Sequence, residues 1–255
     1  VAFKTFVSEC KIYLRLRLSR GQNIFMRLKT LVNYLIKKNE TDLQNNPQNP
    51  YTLYNTGMIL EIMGKNEDAL RFYEKCIQLD SSFKEAYFKL GFNKYKLGYL
   101  DAAEVSYEKA LEIDNFYLDA IYQKGLCLVV REYYDRALEC FDRVISIDPF
   151  YKQAWNDKGI VLVMLGRPEE SLQCFDFILS MDPGNKNALY QKGIALEDMG
   201  HAGDAKKCFD KAGLYPETFD PEMMEGEDSD ENKMSPQEEK DLETKLMELS
   251  NYLSN

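Results

Sequence analysis

The chain has 255 residues, 45% apolar and 29% charged, enough to bury a sizeable core. Its 14 glycines and 8 prolines are few for an all-β sandwich, and long stretches rich in Tyr, Phe, Leu, Glu and Lys run without a breaker, which favours helices. No run approaches the roughly 18 apolar residues of a membrane span, and Lys4 and Lys11 interrupt what would be the apolar part of a signal peptide, so a cytoplasmic location is expected.

The formal charge of −10 is unevenly spread. Residues 1–40 carry Lys4, Lys11, Arg15, Arg17, Arg20, Arg27, Lys29, Lys37 and Lys38 against Glu9 and Glu40, whereas the stretch from Glu217 onward is strongly acidic. In the basic segment Ile24, Leu28, Leu31 and Leu35 follow i, i+4, i+7, i+11, the stripe of an amphipathic helix, and a polar loop runs from Asn39 to Pro50. Residues 1–49 are therefore expected to form a basic, helical N-terminal capping segment. Leu14, Leu16 and Leu18 alternate there with Arg15 and Arg17, so an alternative role is attachment to nucleic acid or an anionic membrane surface. No nucleic-acid motif supports the former, and aromatics are not interleaved with those arginines.

From residue 50 the chain repeats. Gly57, Gly91, Gly125, Gly159 and Gly193 are spaced at 34 residues. Four positions earlier stand Leu53, Tyr87, Ile121, Trp155 and Leu189, and three later stand Leu60, Lys94, Leu128, Leu162 and Leu196. Positions −4, 0 and +3 share one face of a helix, and the glycine there lets a neighbouring helix approach. A turn follows at Gly64, Gly98, Gly166 and Gly200, with Glu132 in place of glycine in the third unit. A second helix then presents Ala69, Ala103, Ala137, Ser171 and Ala205, and one turn on an aromatic, Tyr73, Tyr107, Phe141, Phe175 and Phe209. It ends at Asp80-Ser81, Asp114-Asn115, Asp148-Pro149 and Asp182-Pro183.

Gly, then Ala, then an aromatic, then Asp-Pro, at this period resembles the tetratricopeptide repeat, and the segment from Ala154 to Pro183 is close to that family's consensus. Five units are expected: 50–83, 84–117, 118–151, 152–185 and 186–216. Lys124, Lys158 and Lys192, just before the glycine, depart from the family, which often has leucine there. The resemblance implies an all-α, right-handed superhelical α-solenoid of antiparallel helix pairs, whose first helices line a concave groove that holds a partner's peptide or helix. Each unit exposes an apolar edge that only its neighbour covers, so the ends need caps.

The implied groove falls beside the packed face. Its −3 row is Tyr54, Phe88, Tyr122, Asn156 and Tyr190; its +1 row is Met58, Phe92, Leu126, Ile160 and Ile194; Tyr95 lies at +4. A polar row at −2 contains Asn55, Lys89, Gln123, Asp157 and Gln191. The expected contact residues are Tyr54, Asn55, Met58, Phe88, Lys89, Phe92, Tyr95, Tyr122, Gln123, Leu126, Asn156, Ile160, Tyr190, Gln191 and Ile194. Family members that clamp a C-terminal carboxylate carry Lys and Asn in the first two units and Lys and Arg in the third. The matching residues here are Tyr54 and Met58, Lys89, then Asp119 and Gln123, so a hydrophobic partner is expected instead.

Past the repeats, 217–235 reads as an acidic disordered linker, and 236–255 as an amphipathic helix with Leu242, Leu246, Leu249 and Leu253 on one stripe. Such a short helix wants a partner, which could be another protein or the chain's own groove. Six cysteines, with Cys140, Cys174 and Cys208 one period apart, read as reduced, core-facing residues. His201 is the only histidine and falls in a turn, so neither a catalytic constellation nor a metal or cofactor site is expected. The expected function is a non-catalytic protein–protein interaction scaffold.

Overall fold

A computed structural model of the chain describes residues 37–39 and 41–214. The capping stripe Ile24–Leu35, the acidic linker 217–235 and the C-terminal segment 236–255 lie outside the described residues, as does any docking of that segment. The described residues are helices and turns with no strand. They fall in two compact units, one ending at Ser82 and the other beginning at Phe83.

In the first unit α1 (Pro50–Ile62) and α2 (Asn66–Leu79) form one helix pair. Asn49 caps α1 by accepting from the Tyr51 amide, and Pro50 occupies the first turn, where its missing N–H is not needed. The second unit holds four pairs: α3 (Lys84–Lys96) with α4 (Leu100–Ile113), α5 (Leu118–Val130) with α6 (Tyr134–Ile147), α7 (Lys152–Met164) with α8 (Pro168–Met181), and α9 (Lys186–Asp198) with α10 (Ala202–Ala212). Within it each second helix also packs against the next first helix, the stacking that makes an α-solenoid of helix pairs.

Short turns make the paired helices antiparallel, and the turn chemistry recurs. Gly64, Gly98, Gly166 and Gly200 all have φ between 69° and 80°, and Glu132 takes φ 61° at the same place. In that third turn the Tyr133 amide donates to the Leu128 carbonyl and the Glu132 amide to that of Val129, the two bonds of a Schellman closure. The second helices lack a side-chain N-cap, but each carries acid in its first turn, such as Glu67, Asp101, Asp135, Glu169 and Asp204, where the helix dipole favours it. At their other end Asp80, Asp114, Asp148 and Asp182 each accept the amide two residues on, at 2.9–3.3 Å, which turns the chain into the next pair.

Inside each pair the repeated glycine faces the repeated ring. A Cβ on Gly57, Gly91, Gly125 or Gly159 would stand 2.6–2.8 Å from Tyr73, Tyr107, Phe141 or Phe175, and one on Gly193 would meet Phe209 in the same way. Those rings are almost fully buried, as are Ala69, Ala103, Ala137, Ser171 and Ala205 one turn before them. The glycine thus opens a slot for a ring of its own repeat, and the burial of that ring outweighs the helix penalty of about 1 kcal/mol. Cys76, Cys127 and Cys174 are buried and Cys140 and Cys208 partly so, all as free thiols. Burial pushes the Cys174 thiol up to about 11, so it packs as a small apolar group.

Candidate protein-binding face

The −3 row leans on the repeat core. Tyr54 lies 5.6 Å from Tyr73, Phe88 6.1 Å from Tyr107, Tyr122 6.0 Å from Phe141 and Tyr190 5.7 Å from Phe209, each pair tilted. Phe88 and Tyr122 also reach the ring that opens the next first helix, Tyr117 at 5.3 Å and Tyr151 at 5.2 Å. These rings therefore fix the spacing of successive first helices as well as furnishing surface. Phe88 continues to Phe92 at 6.3 Å, and Lys89 and Lys96 stand over the Phe92 ring at 5.7 and 4.4 Å.

Burial separates the expected contact residues into two sets. Tyr54, Asn55 and Met58 of the first unit, and Tyr190 of the second, are buried and offer little surface as they stand. Phe88, Lys89, Phe92, Tyr95, Tyr122, Gln123, Leu126, Asn156, Ile160, Gln191 and Ile194 are partly exposed. These eleven all belong to the second unit, on α3, α5, α7 and α9, so an apolar and amide-bearing face survives there.

Polar contacts bind neighbouring first helices on that face. The Tyr122 hydroxyl donates to Asp157 Oδ2 at 2.6 Å, Asn156 Nδ2 donates to Asp157 Oδ1 at 3.1 Å, and Asn187 Nδ2 donates to Asn156 Oδ1 at 3.0 Å. Burial pushes the Asp157 carboxyl above the usual carboxylate range, with the Tyr122 and Asn156 hydrogen bonds offsetting part of the shift. Asp119 is likewise raised by burial, and Lys89 offsets part of that. The Tyr151 hydroxyl is pushed up to about 12, by burial first and then by Asp119, Asp157 and Asp148.

Two sets of residues were not anticipated from sequence. Lys124, Lys158 and Lys192, read as departures from the repeat, each pair with the preceding second helix: Lys124 with Glu108 at 2.7 Å, Lys158 with Asp142 at 2.5 Å, and Lys192 with Asp176. The acids stand sixteen residues before the lysines at the same 34-residue period, so the signal was in the sequence. The other set is an ionic cluster in which Glu104 takes both Arg131 and Arg136 and Arg131 also reaches Asp101. Glu104 and Arg131 replace leucines of other repeats.

Among the described residues no group of His, Cys, Asp and Glu is placed to hold a metal ion, and no helix is long and apolar enough to cross a membrane. His201 opens α10 as an exposed turn residue.

A tetratricopeptide repeat family model matches residues 50–83, 84–117 and 118–151. Among solved structures, YrrB, described as a TPR protein with an unusual peptide-binding site, is 27% identical with a TM-score of 0.60, over 68% of this chain and 90% of that one. MamA is 26% identical with a TM-score of 0.59, over 61% and 91%. MamA from Desulfovibrio magneticus, 20% identical with a TM-score of 0.62 over 65% and 94%, shares the fold. A comparison with curated proteins found no match. Repeats and neighbours together support a protein–protein interaction scaffold. Residues 50–151 thus carry three tetratricopeptide repeats matched directly, and the same helix pairing continues to Ala212.

Proposed function

We propose that the chain is a non-catalytic scaffold that holds a hydrophobic peptide or helix of a partner protein on the first-helix face of its second unit. The observation that supports this reading is the partly exposed row formed by Phe92, Leu126, Ile160 and Ile194, flanked by Phe88, Tyr95 and Tyr122. Four successive first helices present an apolar residue at one register. Rigid rings held from behind by buried aromatics bind at low entropic cost, because they are ordered before the partner arrives. The peptide-binding site of YrrB, a relative of the same fold, adds weight to the reading. The basic segment behind the alternative reading, attachment to nucleic acid or an anionic membrane, lies almost wholly outside the described residues, and no described contact favours that alternative.

Phe92→Ala with Ile160→Ala tests the reading, because both side chains are partly exposed and their loss leaves the buried rings in place. Partners captured from cell extract are identified, purified and titrated against both proteins. The expected outcome is an affinity loss of about tenfold or more at unchanged helicity, as for removal of anchor residues. Equal affinity would place the binding surface elsewhere.

A further inference from the structure

The edge of the second unit where its second helices end carries an exposed surface of its own. Phe116 and Phe150 stand one repeat apart, at a position filled by Ser82 and Gly184 in the other turns, and each is 70% exposed. Both are held on tight turns: Asp114 accepts the Phe116 amide and Asp148 the Phe150 amide, each at 2.9 Å. From α6, whose following turn holds Phe150, Arg143 donates through Nη2 to the carbonyl and side-chain oxygens of Asn115, beside Phe116. Its Nε and Nη1 donors have no partner among the described residues. Further cations line the edge. Lys152 and Lys186 open α7 and α9 directly after turns of this edge and are exposed. Lys84 and Lys109 of repeat 84–117 are paired, with Asp114 and Glu112, but Arg143, Lys152 and Lys186 have no ion-pair partner among the described residues. Exposed rings beside unpaired cations fit a segment that is acidic and apolar at once.

We infer that this edge is the docking site of the chain's own residues 217–225. There Glu217, Asp220, Glu222 and Glu225 are interleaved with Phe219, Met223 and Met224, and no cation stands among them. The acids meet Arg143, Lys152 and Lys186, and the apolar side chains lie on Phe116 and Phe150. The inference goes beyond the peptide reading of the first-helix face and does not depend on it. The segment leaves the repeats in the right place, because α10 ends at Ala212 on the same edge as α4, α6 and α8. At a helix spacing of 8–10 Å the end of α4, three repeats back, lies on the order of 30 Å away. The chain from Leu214 to Glu225 spans up to about 36 Å when extended, at roughly 3.3 Å per residue, so it reaches both rings. Tethering raises the local concentration to the order of millimolar, and a contact too weak to hold a free peptide is then well populated within the chain.

The test places the photo-reactive p-benzoylphenylalanine at Phe150 in the full chain, and irradiation followed by peptide mapping identifies what lies against that ring. The expected product is a cross-link within one chain to residues 217–225, with a yield independent of protein concentration. That yield should fall about fivefold or more in Glu217→Gln/Asp220→Asn/Glu222→Gln/Glu225→Gln, and likewise in 1 M salt, where the screening length is about 3 Å. It should be unchanged in Glu227→Gln/Asp228→Asn/Asp230→Asn/Glu231→Gln, which removes the same charge further along the chain. Lys152→Gln/Lys186→Gln, at exposed positions, should lower it at unchanged helicity. Cross-links between two chains that rise with concentration would make the occupant a second copy and overturn the inference, as would cross-links to other residues or none at all. Equal loss in the two neutralised variants would reduce the effect to net charge and overturn it too.

Discussion

Two seams in the second unit are built on one backbone pattern and filled with opposite chemistry. Between repeats 84–117 and 118–151 the register places Glu104 against Arg131; one repeat on, the same register places Leu138 and Leu165. At the first seam the Glu104 side chain is 8% exposed, Arg136 reaches its Oε1 at 2.6 Å, and Arg131 joins it while touching Asp101 at 2.5 Å. At the second, Leu138 and Leu165 join a core with Leu128, Phe141, Val161 and Leu162. The helix pairs stack through both. The glycine slot and its ring set the geometry of each pair, and the seam filler is interchangeable provided both sides change together. A buried carboxylate is tolerable only because two guanidiniums replace its water.

The apolar seam is the one a single truncation damages most. Leu138→Ala removes a buried side chain of that cluster, and the helices are expected to close only partly on the space left. The expected loss is ~2–4 kcal/mol of unfolding free energy, measured by urea denaturation. A loss under ~1 kcal/mol would mean that the seam relaxes, contrary to the tight packing implied by Leu138 and Leu162 being buried together.

At the ionic seam a single change should be costly and the paired change cheap. Glu104→Leu leaves Arg131 and Arg136 without their shared carboxylate; since both keep some solvent contact, the expected loss is ~1–3 kcal/mol. Adding Arg131→Leu recreates the neighbouring seam's chemistry and should restore stability to within ~1 kcal/mol of the parent. A double variant as unstable as the single one would show that the ionic seam has its own geometry.

Period and residue class carried the fold plainly in the sequence, because each repeat restates the same steric demand: a glycine where a ring must enter, an aspartate where the chain must turn. The candidate face was less legible. Spacing placed Tyr54, Met58 and Tyr190 on it; as they stand they are buried, and Tyr54 and Tyr190 pack on the core ring of their own repeat. The Glu104–Arg131 pair was hidden for another reason. Each stands where other repeats carry leucine, but their partnership exists only across two helices.

Between the two seams sits the one turn where the repeat breaks its own rule. Glu132 occupies the left-handed region at φ 61°, where the other units use glycine, and its Schellman bonds are intact. The cost therefore lies in the backbone of a residue with a Cβ rather than in lost hydrogen bonding. Glu132→Gly is expected to stabilise the protein by about 1 kcal/mol, seen as a rise in urea midpoint at unchanged slope. The reverse change at the neighbouring turn, Gly166→Ala, should cost a similar amount, since no atom stands within 4 Å of the added Cβ. Strain at Glu132 matched by no loss at Gly166 would mean that the third turn is supported by contacts of its own.

The smallest effect is expected where the two seams are alike. Lys124 pairs with Glu108 across the ionic seam and Lys158 with Asp142 across the apolar one, at 2.7 and 2.5 Å, with the lysines 18% and 23% exposed and the acids 45% and 56% exposed. Exposure, geometry and register match, so Lys124→Met and Lys158→Met should each cost ~0.2–1 kcal/mol, and by nearly the same amount. Both losses should shrink in 1 M salt, where the screening length falls to about 3 Å. If these pairs act independently of what fills the seam behind them, the two values coincide at every salt concentration. A Lys124→Met loss several times the other would instead couple that pair to the Glu104 cluster, making the ionic seam one extended network rather than a substituted leucine contact.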